Sequence, residues 1–351
     1  MTGTAFRRSV PTLAIAAALL TLPGLASANE PTIRFAHEPG ALRVSAGDQP
    51  VATYFYQDRE ITRPFFAHVH APGGLPVTRH HPPRPGIDDT DHGTAGNYFH
   101  PGIWLAFSDL SGHDYWRLKA PVRHEAFVAE PAAKADHGTF TVRNSYRDEL
   151  QPDVTVAHEL CRYTVVAIPG AFVLVSDSLF WSVDRALEFG DEEEMGFAVR
   201  VATPLAVKHG GHLRDSAGRH GEQQIRGRSA PWCDYSGTVG QRRAGILLAS
   251  DAANPFASRY HARDYGLLAA NPFAAKAFGE PTARRTVIEQ GQALRLRFAV
   301  ALYSGPQATA NDKADDEKAA EDDAADDEAA ELAALYDSVV KLLADLPRPQ
   351  K

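Results

Sequence analysis

The sequence predicts an all-β fold, a large antiparallel β-sandwich followed by a single C-terminal helix. Between about Pro31 and Ser304 the chain runs in more than a dozen short extended segments broken by Pro, Gly, Asp and Asn. No helical periodicity interrupts them, which favours a sandwich over an alternating α/β fold. The one convincing helical pattern comes last, in EAAELAALYDSVVKLLADL.

In chain order, the first residues read as a secretory signal. Arg7 and Arg8 form a basic start, Ala14 to Leu22 form an apolar run too short to span a bilayer, and Ala26-Ser27-Ala28 is an A-x-A cleavage site. Residues 1–28 are therefore expected to be removed, leaving an exported, periplasmic or extracellular protein that begins near Asn29. No later segment has the length and apolarity of a membrane span.

The sandwich is expected over residues 29–305. Within it, PFFAHVH reads as a strand with His68 and His70 on one face beside Phe66. His80 and His81 precede Pro82-Pro83 and so belong to an extended, exposed loop. GIWLAF reads as a buried strand, and GTFTVRNSY alternates Phe140 and Val142 against Thr141 and Arg143. YTVVAIPGAFVLVSDSLFW is two strands about the turn pair Pro169-Gly170. ALRLRFAVAL sets Leu294, Leu296, Phe298 and Val300 opposite Arg295, Arg297 and Ala299, the pattern of a half-buried strand.

Residues 306–331 form an acidic, Ala-rich insert, and residues 332–351 the helix and tail. The net charge of −8 is concentrated in that insert, since Asp312 to Glu331 hold eleven acids and two lysines. The rest of the mature chain is near neutral and carries no basic stripe, which excludes a nucleic-acid partner. The run KADDEKAAEDDAADDEAA reads as solvated helix or disorder with nothing to bury. Leu332, Leu335, Val339 and Leu342 recur at helical spacing and should pack on the sandwich. Cys161 and Cys233 lie in no metal-ligand spacing; export permits them to pair, and the sequence leaves both states open.

Chemistry is concentrated between Arg63 and Phe127, where eight of the fifteen histidines fall. Such crowding points to a site, because imidazole ligates metals and titrates near neutral pH. His92 and His100 flank a Gly-rich loop able to turn both rings toward one point, with Asp91 placed to orient His92. In GDEEEMGFAVRVATPL, three successive acids end at Glu194, and at least one should face inward beside Met195 and Phe197. A carboxyl pressed on apolar neighbours gains a raised pKa and can serve as general acid or base.

A third constellation joins SAPWCDYSG to RYHARDYGLLAANPF. Trp232, Tyr235, Tyr260 and Tyr265 offer flat faces, and Arg259, His261, Arg263, Asp264 and Asn271 planar polar groups, a mixture that suits sugar hydroxyls and carboxylates. There is no G-x-S-x-G, no G-x-G-x-x-G after a strand, no Walker loop and no H-E-x-x-H, which removes the main support for those classes.

RPFFAHVHAPGG, TRHHPP, TDH with a following HPGIWLAFSDLSG, DYWR, GDEEEMGFAVRVATPL, WCDYSG and RDYGLLAANPF together resemble the exported bacterial PmoA-like family, over roughly Arg63 to Tyr303. The resemblance implies a mutarotase-like supersandwich that binds sugars. The methane monooxygenase subunit sharing that label is an integral membrane protein, so the label does not carry methane oxidation to a chain without a span after its signal. Family members have D-H-P-H-H-R at the histidine loop; here GTAGNYF separates His92 from His100, leaving the middle histidine without a counterpart.

The leading expectation is a carbohydrate-active enzyme, an isomerase, lyase or hydrolase working by proton transfer. Glu194 would be the base and His92 or His100 the acid. His68, His70, Trp232, Tyr235, Arg263, Asp264 and Asn271 would line the substrate site. One alternative is a glycan-binding protein without turnover. Another, suggested by the family label, is a copper or iron oxygenase with His92 and His100 as metal ligands.

Overall fold

Twenty strands and two helices organise the residues described by a computed structural model, which are 1–2, 33–91, 99–134, 137–182, 184–307 and 317–347. The chain opens with β1 (Ile33–Glu38), β2 (Ala41–Ala46), β3 (Gln49–Phe55), β4 (Phe65–Ala67), β5 (His70–Ala71), β6 (Leu75–Pro76) and β7 (Ile103–Phe107). Four long strands and two short ones follow: β8 (Val122–Ala133), β9 (His137–Arg147), β10 (Thr155–Ile168), β11 (Ala171–Trp181), β12 (Leu187–Phe189) and β13 (Met195–Arg200). Then come β14 (His212–Asp215), α1 (Gly221–Ile225), β15 (Trp232–Val239), β16 (Arg242–Ser250), β17 (Arg259–Arg263) and β18 (Leu267–Asn271). The last elements are β19 (Thr286–Ile288), β20 (Leu294–Gln307) and α2 (Glu317–Asp345).

Two eight-stranded antiparallel sheets form the sandwich. The first runs β1-β2-β3-β4-β7-β13-β18-β17, the second β14-β15-β16-β20-β11-β10-β9-β8. Because side chains alternate across a strand, each sheet sends one set inward. Val44, Tyr54, Phe66, Phe107 and Phe197 of the first meet Val142, Cys161, Leu174, Leu248 and Phe298 of the second in one buried core. The Pro169-Gly170 turn closes the β10–β11 hairpin, with Ile168 opposite Ala171 and Gly170 at φ 74°.

Both outer faces are covered too. On the second sheet, Leu332, Val339 and Leu343 of α2 pack on Val173, Val175, Trp232, Leu247, Ala299 and Ala301. Each such side chain contributes roughly 1.5–3 kcal/mol of apolar burial. On the first sheet, Ile61 and Trp116 from loops cover Phe65, Trp104, Ala106, Ala198, Leu267 and Ala269.

These coverings correct several expectations. β20 is not half-buried: Arg297 is 2% exposed, because α2 lies over it, and it pairs with Asp177 at 3.3 Å. PFFAHVH is not one strand, since β4 ends at Ala67 and His68 turns through φ 50° before β5. His81 is buried rather than exposed and bonds Asp58 at 3.1 Å. The terminal helix begins at Glu317 and runs unbroken through the expected junction at 331/332. Cys161 and Cys233 are buried, free thiols on β10 and β15. No helix among the described residues is long and apolar enough to cross a membrane.

Candidate active site

The outer side of the first sheet gathers the charged groups. On β13, Met195, Phe197 and Val199 face the core between the sheets, so Gly196, Ala198 and Arg200 face away from it. Glu194 shares that outward parity. Its carboxyl therefore does not press on Met195 and Phe197 as expected, but pairs with the guanidinium of Arg117. Its side chain is 18% exposed. Burial raises its pKa above the ordinary carboxylate value, against the opposing pull of Arg117.

Two strands away, β17 sends His261 and Arg263 to the same side. Arg263 Nε donates to His261 Nε2 at 3.1 Å, which leaves the ring proton on Nδ1, 3.3 Å from the Glu193 carbonyl. Burial, then Arg263 and Arg226, push the His261 pKa down to about 3, so the ring is neutral. Arg263 also donates to Glu222 at 2.7 Å, and Arg226 pairs with Glu193. Fully buried Asn271 donates to the carbonyls of Glu192 and Glu193 at 2.8 and 3.1 Å, fixing the acidic segment over the sheet. Asp264 and Glu222 clasp one another through backbone amides at 2.9 and 3.0 Å.

His100 lies on this side as well, but inside the covering layer. It is fully buried, stacks on Trp104 at 5.4 Å and accepts the indole N–H of Trp116 at Nε2. Arg79 donates to the carbonyls of Asp91 and His100 at 2.8 and 2.6 Å. His92 lies outside the described residues. Its expected partner Asp91 accepts from Lys208 at 2.7 Å.

A family profile described as a family of unknown function, DUF6807, matches residues 41–317. The chain belongs to this family. No curated protein matches it in sequence. Among solved structures, the DUF6807 chain is similar to a GH36 α-galactosidase from Geobacillus stearothermophilus in complex with 1-deoxygalactonojirimycin. The identity is 10% and the TM-score 0.40, over 79% of this chain and 41% of that one. It is also similar to a putative aldose 1-epimerase from Escherichia coli K12, with 11% identity and TM-score 0.30 over 78% of this chain and 99% of that one. A third is a GalM/aldose epimerase homologue from C. elegans, with 10% identity and TM-score 0.31 over 79% and 100%. The DUF6807 chain spans about two-fifths of the length of the galactosidase chains it matches.

The remaining expected site residues of this DUF6807 chain scatter. Trp232 lies beneath α2 on the far side of the second sheet, so it cannot share a ligand with Arg263. Tyr235 is fully buried between the sheets, where its hydroxyl donates to the Arg263 carbonyl; it supports the site from behind. His68 donates to the His81 carbonyl at 2.7 Å, and burial lowers the pKa of both His68 and His70. His81, whose carbonyl His68 bonds, lines an open cleft of about 430 Å³ with Asp58, Arg59, Glu60 and Pro82, and Glu194 is not among the lining residues. Burial opposes ionisation of Asp58, yet the bonds from His81 and the Ile61 and Glu60 amides hold it at about 2.

Sequence reasoning missed Arg117, Glu222 and Arg226, while Glu193 belongs to the acidic run it singled out. Arg117 had a signal, since it ends the DYWR block directly after Trp116. The other two meet the site only through sheet pairing and α1.

Proposed function

We propose that this protein is a carbohydrate-directed acid-base enzyme, with Glu194 as the group that moves the proton. One observation carries the reading. A partly buried carboxyl with raised proton affinity pairs with Arg117 and stands within the field of Asp114, Glu193 and Arg263. A carboxyl of this kind takes and returns a proton nearer neutral pH than a solvated one. Arg117 supplies the planar donors that hold a sugar hydroxyl or carboxylate beside it. Isomerisation, elimination and hydrolysis all fit one proton-transferring carboxyl, and the PmoA-like resemblance and export signal suit a saccharide met outside the cytoplasm.

A glycan-binding protein without turnover is the second reading, favoured by the ion pair that already satisfies Glu194. The oxygenase reading fits less well. Nε2 of His100 is taken by the Trp116 indole, and no group of three His, Cys, Asp or Glu among the described residues is arranged to hold a metal ion.

The deciding experiment follows aldoses and short oligosaccharides by NMR with the purified protein and with Glu194→Gln. Turnover lost in the variant supports the enzyme. Saturable binding without turnover supports the second reading, and turnover that survives in Glu194→Gln removes Glu194 from the chemistry.

A further inference from the structure

A separate cleft of about 340 Å³ opens on the second sheet, lined by Glu125, Arg143, Arg147, His158 and Trp181. Strand parity places it outward. Val142 and Tyr146 of β9, Ala157 and Cys161 of β10, and Phe180 of β11 fill the core between the sheets, so the lining side chains beside them turn to the opposite face. Register then sets His158 between Trp181 and Ser145. The Trp181 and His158 rings stack with centroids 5.5 Å apart and planes at 25°.

The charges do not cancel. Glu125 accepts from Ser145 and, at 2.6 Å, from Arg147, which also holds Thr155 at 2.9 Å. Those two ions satisfy each other. Arg143 is exposed and has no hydrogen-bonded or ion-paired partner among the described residues, which leaves one guanidinium to spare. Nδ1 of His158 is buried and also has no hydrogen-bond partner among the described residues.

We infer that this cleft is a second ligand site and that it takes an acidic saccharide. The apolar face of a pyranose would lie on the Trp181–His158 platform, its carboxylate would meet the planar donors of Arg143, and a ring hydroxyl would donate to Glu125. A neutral sugar would leave the Arg143 charge unused. A bare carboxylate would leave the aromatic platform uncovered.

The test is an NMR titration of the full chain with D-glucuronate, D-glucose and acetate. Glucuronate is expected to bind about tenfold more tightly than either control, the scale of one charge-assisted hydrogen bond. Arg143→Gln, at an exposed position that does not threaten folding, should lose about the same factor. Trp181→Phe should retain part of the affinity that Trp181→Ala loses. Glu194→Gln should leave the glucuronate affinity of this cleft unchanged, which separates the inference from the reading of Glu194. Equal binding of glucuronate and glucose, equal binding of acetate, or indifference to Arg143→Gln would each overturn it. So would loss of glucuronate binding in Glu194→Gln alone, which would place the ligand at the other site.

Discussion

Trp116 donates its indole N–H to Nε2 of the fully buried His100 at 3.1 Å. An indole nitrogen only donates, so this nitrogen of His100 accepts and the ring proton sits on Nδ1. His100 is thereby a fixed part of the layer that covers the first sheet, and the residue after Trp116 carries the arginine that meets Glu194. His100→Ala should remove a stacked ring between Trp104 and Trp116 and orphan the indole donor. A loss of roughly 2–4 kcal/mol in urea unfolding is expected. A change below about 1 kcal/mol would mean that the layer does not depend on this contact.

The sequence made the strands legible and their covering illegible. Pro169-Gly170 marks a hairpin because a fixed φ followed by a positive one turns the chain locally, with no tertiary information needed. GIWLAF announces a buried strand through five consecutive apolar residues in β7. Arg295 and Arg297 in β20 look like a solvent face, since nothing local says that α2 will lie across them. The same blindness put Trp232 with Arg263: an aromatic reads alike under a helix and beside a ligand. For Glu194 the raised pKa was foreseen but the face was not, because the count of outward positions depends on where β13 begins.

The buried Asp234 predicts how stability follows pH. It accepts from the Tyr303 hydroxyl at 2.8 Å, and burial raises its pKa to about 6. A carboxyl bound more tightly to its proton in the folded state stabilises fully below the unfolded value near 3.8, and that contribution is lost as pH rises through about 6. Asp234→Asn keeps an acceptor for Tyr303 without a charge. Thermal melts should then show a flatter profile between pH 4 and 6 and, at pH 7, a gain on the order of 2–3 kcal/mol. A variant less stable at pH 7 than at pH 4 by the wild-type margin would contradict this.

The helix α2 should behave as part of the fold and not as an appendage. Val339 is fully buried against the second sheet, and Glu328 pairs with both Arg214 and Arg243. Val339→Asp places an unpaired charge in that contact and should cost roughly 3 kcal/mol or more. Glu328→Gln should cost about 1–2 kcal/mol, because the Arg214 side chain it neutralises is only 9% exposed. By composition Lys313 to Ala329 has nothing to bury, yet Glu328 lies inside it and pairs with Arg214 and Arg243, so deleting the stretch should lower the melting temperature. Melts of the three variants decide the matter, and three wild-type values would detach the helix from the core.

Export carries its own test. The signal reading places the mature start near Asn29, as the A-x-A site at Ala26-Ser27-Ala28 requires. Expressed with its first residues in a bacterial host, the protein should be recovered outside the cytoplasm with that N-terminus by intact mass. Met1 on protein recovered there would contradict the cleavage.

The proton chemistry of Glu194 gives the most demanding prediction. Burial raises its pKa and Arg117 holds it partly down, so the acid limb of the pH profile for kcat/KM should lie above the ordinary carboxylate range. Arg117→Ala removes the cation, and the sign follows: the charged form loses its partner and the limb moves further up in pH. Arg117→Lys keeps the charge without the planar fork, so it should restore the limb while leaving KM impaired. Glu194→Gln should abolish turnover at every pH while the melting temperature stays near that of the parent. If the two residues form one unit, Glu194→Gln with Arg117→Ala should be hardly worse than Glu194→Gln alone, since a cation with no carboxylate to tune has nothing left to lose. A purely structural Arg117 would instead lower stability without moving the limb, because a titration midpoint responds to the charge beside the carboxyl and not to the number of folded molecules.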